Sequence, residues 1–301
     1  MDHRSEQQRE TVAGFWNERH QDAAGEAHDN YLSHPLIQAY ISLRAFGSLV
    51  SHMDAAKHAI LSHTQPGDVV LSLGCGAAIK ERWLAKELPD RQFVGIDLAD
   101  EIIANTREEV RRDGLPNLEL RTGDFNELEL AADSIRILLG LGAIHHVENL
   151  EGLWATAARA LRPGGIVLAQ EFVGPNRFQW TDAQIAACDE ALDKLIPDEH
   201  KVHHRRVQRT PVAEMLAVDP SEAVRSAEIL DTCRAAGFTI RAKPSAGGAL
   251  LQPCLMYQIH TFEPQNWRHN SVLARLFEEE DRLMREGVID DDFVMFVAAR
   301  D

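Results

Sequence analysis

No stretch of this 301-residue chain approaches the roughly 20 consecutive apolar residues that a membrane-spanning helix needs. No membrane partner is expected. Basic residues are scarce beside acidic ones: 31 Lys and Arg stand against 47 Asp and Glu, a formal net charge of −16. Binding along a phosphate backbone needs a surplus of Lys and Arg, so no nucleic-acid partner is expected. The exception is local, Lys201-Val-His-His-Arg-Arg206. Cysteine is sparse too. Cys75, Cys188, Cys233 and Cys254 lie far apart without a Cys-x-x-Cys pair, which argues against a disulfide framework and for reduced thiols in a cytoplasm. The opening Met1-Asp-His-Arg-Ser-Glu6 is polar and lacks the apolar core of a signal peptide. There are no internal repeats and no low-complexity tracts. What remains is a cytoplasmic globular chain, long enough for a large buried core.

The most telling segment is Asp68-Val-Val-Leu-Ser-Leu-Gly-Cys-Gly-Ala-Ala78. A short apolar run ends at two glycines, and a helical pattern starts near Ile79. A buried strand, a tight turn and a helix N-terminus form the start of a nucleotide-type cofactor site in an α/β sheet. The dinucleotide fingerprint wants glycine at its first, third and sixth positions, and the sixth counted from Gly74 is Ile79. A nicotinamide cofactor is disfavoured on that ground. The next strand, Gln92–Asp97, ends in an acid 23 positions after Gly74, close to the roughly 20 expected of a ribose-binding carboxylate. A third strand ends at Asp124-Phe125, an acid beside an apolar ring that can hold and cover an adenine.

These residues, with Asp133–His146 and the turn Leu161-Arg-Pro-Gly-Gly165, resemble the class I S-adenosylmethionine-dependent methyltransferases over about 64–174 and the last strand. The resemblance implies an α/β fold: a Rossmann-like, seven-stranded, mainly parallel sheet with helices on both faces and an antiparallel last strand, 293–299, beside the fifth. It implies S-adenosyl-L-methionine as cofactor. Gly74, Cys75 and Gly76 would approach its methionine end, and Leu141 and Gly142 would offer backbone groups to the methionyl amine. Asp97 would hold the ribose, Asp124 the adenine, and Leu98 and Phe125 would flank the base. One departure stands out. Ser72 occupies the position, two before the first glycine, where the family usually carries an acid, so another group is expected to help there.

Four regions are expected: an N-terminal helical cap at 1–64, the cofactor-binding core at 65–175, a helical lid insertion at 176–225, and the rest of the core at 226–301. Helices are anticipated at 79–88, 101–112, 150–161, 226–236, 248–261 and 271–286. An apolar face at Leu36, Ile37, Tyr40, Ile41, Leu43 and Phe46 marks another within the cap.

Methyl transfer is an in-line displacement that depends first on positioning, with a base only for a protonated nucleophile. His146, His145 and Glu171 are the candidates for chemistry. The acceptor, a small molecule offering O, N or S, is expected between the N-terminal helices and the lid, near Tyr31, His34, Arg177, Trp180, His204 and Arg225. Phe15, Trp16 and His20 supply aromatic faces suited to a cation. No metal is expected: His200, His203 and His204 lack a carboxylate or cysteine at ligand spacing, and Arg205 and Arg206 would repel a cation. A homodimer through the N-terminal helices is compatible with the sequence. The rival readings are an NAD- or nucleotide-sugar-dependent oxidoreductase, against which Ile79 speaks, and a catalytically silent cofactor-binding regulator.

Overall fold

A computed structural model describes residues 6–19 and 30–300; His20 lies outside the described residues. The N-terminal helices are α1 (Glu6–Arg19), α2 (Pro35–Phe46) and α3 (His52–His63). Each of the last two starts where a side chain accepts an otherwise unpaired N–H. His34 Nδ1 accepts from Leu36 N ahead of Pro35, and Ser51 Oγ accepts from Asp54 N. On the face expected of α2, Ile37 is fully buried but Leu43 is half exposed, because the helix packs along one narrow stripe.

Strand and helix then alternate through β1 (Val69–Leu73), α4 (Ile79–Glu87), β2 (Gln92–Asp97), α5 (Asp100–Arg112), β3 (Leu118–Thr122), β4 (Ile135–Leu141), α6 (Leu150–Ala160) and β5 (Leu161–Phe172). Beyond these lie α7 (Asp182–Lys194), α8 (Val212–Val218), α9 (Ile229–Ala235), β6 (Thr239–Ala242), β7 (Ser245–Gly247), α10 (Leu251–Leu255), α11 (Trp267–Arg285) and β8 (Phe293–Ala299). Three helical expectations are corrected. The 226–236 helix begins only at Ile229, after a separate turn at Ser226–Glu228. The 248–261 helix shrinks to α10 and a turn at Ile259–Thr261. The last helix starts earlier, where Asn266 caps Arg268 N.

The sheet runs β3-β2-β1-β4-β5-β8-β6, with β7 also on β8. β1 to β5 are parallel, and β8 lies antiparallel to β5, as expected. Eight strands fill seven sheet positions. β6 and β7 share the outer edge of β8, separated at Lys243-Pro244, and Pro244 still accepts a bond from Met295 N through its carbonyl. Alternation along each strand sends side chains to opposite faces. Val70 packs with Ile60, Leu84 and Ile103 from α3, α4 and α5. Leu71 packs with Leu153 and Trp154 of α6 and Cys233 of α9.

A third core is mainly helical. Tyr31, Ile37, Cys188 and Leu192, Leu251 and Leu255, and Leu273 and Leu276 belong to one cluster. The helical cover is thus assembled from segments near 31–41, 185–207 and 249–289, and the 176–225 stretch does not form a core of its own. Asp292, buried just before β8, lies where this cluster meets the sheet. Its Oδ2 accepts from Gln184 Nε2 of α7 at 2.8 Å, and its carbonyl accepts from Val173 N after β5 at 2.7 Å.

Candidate cofactor and acceptor site

The register sets Leu73 opposite Ile96 on one side and Gly140 on the other. The carboxyl ends of β1, β2 and β4 therefore open together, at the point where strand order reverses. A cavity of about 280 Å³ lies there. All nine residues expected at the cofactor line it: Gly74, Cys75, Gly76, Asp97, Leu98, Asp124, Phe125, Leu141 and Gly142. Val12 and Trp16 of α1 close one side, and His146 and Ser221 another.

The glycine turn is shaped by close approach. Gly74 sits at φ +60°, and a Cβ there would lie 2.6 Å from the Ala143 Cβ. Gly76 N donates to Asp97 Oδ2 at 2.7 Å, and Ala99 N to Asp97 Oδ1 at 2.9 Å. The second acid is fixed but incompletely used. Asp124 Oδ1 accepts from Asn126 N and Nδ2, whereas Asp124 Oδ2 is buried without a hydrogen-bond partner among the described residues, 3.8 Å from Arg9 Nε of α1. A buried acceptor beside Phe125 suits an exocyclic amino group. Burial pushes the Cys75 thiol far above its ordinary range, first by desolvation and then through Glu81 and Asp97, which disfavours the thiolate.

A carboxyl from elsewhere in the chain stands beside position 72. Glu81 of α4 is buried on the cavity wall, and Ser72 Oγ donates to its Oε1 at 2.6 Å. Burial raises its pKa against the pull of that bond. Sequence reading missed Glu81, although a charge in register with Leu84, Ala85 and Leu88 on the inner face of α4 was a signal. Lys80 was missed as well. Its Nζ donates to Leu141 O at 2.7 Å, and Gly142 N donates to Gln170 O. The methionyl amine needs acceptors, and of these the Leu141 carbonyl is therefore already engaged by Lys80.

After β4 the chain makes a turn at Ile144–His146 that rests on one carboxylate. Glu171 Oε1 accepts from Ala143 N and Ile144 N at 2.9 and 2.8 Å. Its Oε2 accepts from His145 N at 3.3 Å and lies 2.8 Å from His145 Nδ1. Burial opposes charge on both partners, but their mutual bond outweighs it: His145 titrates above its ordinary value and Glu171 below. Neither lines the cavity. Glu171 is thus a positioning residue, because all its contacts point inward. His146 does face the cavity. Its Nδ1 lies 3.1 Å from Ser221 Oγ, which donates to Asp219 Oδ1 at 2.6 Å, and its ring meets Trp16 edge-to-face at 5.2 Å.

The residues expected at the acceptor are not brought there. Tyr31 is buried in the helical core and His34 caps α2. Arg177 Nη1 donates to Glu222 O, and Trp180 packs against the helical cluster. His204 Nε2 lies 2.9 Å from Pro253 O. Arg225 grips Glu151 with both Nη atoms and also Glu228, holding Glu151 down to about pKa 2. Their polarity reflects internal bonding that a linear pattern does not reveal.

Residues 70–165 match a family described as a methyltransferase domain. Arsenite methyltransferase of Halobacterium salinarum is 31% identical over 114 residues, 38% of this chain and 29% of that protein. Nocamycin O-methyltransferase of Saccharothrix syringae is 27% identical over 176 residues, 58% of this chain and 60% of that one. The chain thus spans less than two thirds of the length of these curated relatives. Geranyl diphosphate C-methyltransferase from Streptomyces coelicolor A3(2) shares the fold over 98% of both chains, with a TM-score of 0.56 at 12% identity. The matched segment, residues 70–165, is thus a methyltransferase domain, carried on a sheet of Rossmann-like methyltransferase order.

Proposed function

We propose that this protein transfers a methyl group from S-adenosyl-L-methionine to an O, N or S atom of a small-molecule acceptor. The observation that carries this is the pairing, in one cavity, of Asp97 on the glycine turn with the buried Asp124 Oδ2, which accepts no hydrogen bond from the described residues and has only Arg9 Nε near it, at 3.8 Å. Asp97 holds the ribose hydroxyls and Asp124 the adenine amino group, with Leu98 and Phe125 along the base. Glu81 offers a buried carboxyl to the methionyl ammonium, and Lys80 offers a cation to the carboxylate. When bound, the cofactor supplies an electrophilic methyl group on a positively charged sulfur. Trp16 presents an aromatic face attractive to that charge. The enclosed volume and the acidic surface favour a metabolite over a polymer.

Asp97→Ala is expected to weaken S-adenosylhomocysteine binding about tenfold or more, since ribose hydroxyls lose a charged acceptor. Calorimetry decides: equal affinity removes Asp97 from the site, and no binding by the unaltered protein removes the cofactor itself. His146→Ala is expected to lower methyl transfer into a metabolite extract about tenfold or more while leaving that affinity within about twofold. An unchanged rate would place His146 outside the acceptor end.

A further inference from the structure

We propose that His145, His146 and Glu222 form a binding site for one divalent transition-metal ion, of which Zn2+ is the representative, at the acceptor end of the cavity. One ring nitrogen from each histidine and one Glu222 oxygen lie within 4.8 Å of one another. The ring of His145 is already oriented for the task. Its Nδ1 is held by Glu171, which fixes the tautomer and leaves Nε2 facing Glu222 Oε1 at 3.6 Å. That gap is too long for a hydrogen bond. It is close to the separation, about 3.4 Å, of two ligands that each stand 2.0–2.2 Å from a tetrahedral Zn2+. A carboxylate behind the histidine and an ion in front of it is a recurrent arrangement in metal sites.

Charge points the same way. Glu171, Asp219 and Glu222 gather around two imidazoles, while Arg225 is tied to Glu151 and Glu228, and Arg177 donates to the Glu222 carbonyl. Independently, Asp219 Oδ2 is buried without a hydrogen-bond partner among the described residues, 3.7 Å from His146 Nδ1. A buried, unpaired carboxylate oxygen beside two imidazoles is costly unless a cation compensates it. Glu222 is about one quarter exposed on a loop, so its side chain has room to adjust its own distances to the two rings. Two histidines and one carboxylate leave a coordination position open. Through His146 and Ser221 that position adjoins the cavity, where it would take an acceptor bearing an oxygen donor, such as a hydroxyl or an enolate. The orientation of the acceptor rests on the methyltransferase reading; binding of the ion does not.

The test uses the full chain without an affinity tag, stripped with a chelator and titrated with Zn2+ and, separately, with S-adenosylhomocysteine. The expected result is one Zn2+ per chain at micromolar affinity or tighter. Glu222→Gln and His145→Ala should each weaken it about tenfold or more, with S-adenosylhomocysteine affinity retained. Glu222→Gln keeps the side-chain volume at a partly exposed position, which guards against loss by misfolding. Zn2+ uptake equal in the unaltered protein and both variants, or no uptake, overturns the proposal even where S-adenosylhomocysteine binds. Zn2+ uptake that follows the variants without S-adenosylhomocysteine binding supports the ion site and overturns only the methyltransferase reading.

Discussion

Glu171→Ala is expected to lower the melting temperature by roughly 6–12 °C. The substitution strips the acceptor from Ala143 N, Ile144 N, His145 N and the His145 ring at once. An unsatisfied buried donor costs about 1–3 kcal/mol, and partial relaxation of the turn leaves a net loss of about 3–6 kcal/mol. A chain of this size loses roughly 2 °C per kcal/mol. The same change frees the turn that carries His146, so methyl transfer should fall while S-adenosylhomocysteine affinity changes less. Glu171→Gln keeps one acceptor oxygen and should lie between the two proteins in both respects. Calorimetric melting checks the first part. A melting temperature within about 2 °C of the unaltered protein would mean that the turn is held by something other than this carboxylate.

Asp292→Asn should remove a component of pH sensitivity. Burial, reinforced by the charge of Glu280 and opposed by the Gln184 hydrogen bond, pushes the Asp292 carboxyl from its ordinary 3.8 up to about 7. The unfolded chain loses this proton near pH 4, and the folded protein keeps it until near pH 7. Between these values the folded state holds one more proton than the unfolded state, so its stability falls as pH rises. The full difference corresponds to ~4 kcal/mol, reached above pH 7. Asparagine cannot ionise, so its advantage over aspartate should be small at pH 4 and approach that value at pH 8. Denaturant unfolding of both proteins at the two pH values measures it. Parallel pH profiles would show that Asp292 ionises in the folded protein as freely as in the unfolded one.

The cofactor half of the site was legible because it is written locally. Gly74, Gly76, Asp97 and Asp124 each lie at the carboxyl end of a strand or within three residues after it, and strand ends of a parallel sheet meet at one edge. A residue's place along the chain then fixes its place in space. Glu81 was hidden because its service to Ser72 depends on how far α4 rotates against β1. Asp219, Ser221 and Glu222 were hidden for a stronger reason. They reach the turn after β4 across more than seventy residues, secured by Val224 N donating to His145 O. Tyr31, Arg225 and His204 illustrate the converse. They carry suggestive chemistry, but a neighbour invisible in the linear order consumes each of them. The interruption of the outer edge at Pro244 could be read only with the partner strand in view, since a proline is tolerated where its carbonyl alone is required.

The shared helical cluster limits how acceptor preference can be re-engineered or can drift between relatives. Grafting 176–225 as a cassette would transplant α7 without the side chains of α2, α10 and α11 that interdigitate with it, and would leave an ill-fitting seam. The short stretch 219–226 is different. It reaches the cavity through Ser221 and is pinned at Val224 by a backbone bond that many side chains would tolerate and at Ser226 by its buried hydroxyl, which donates to Gly174 O. On the proposed methyltransferase reading, changes in acceptor preference should therefore fall in that ribbon, around its fixed Asp219, Glu222 and Ser226, while the helices around it change only in concert.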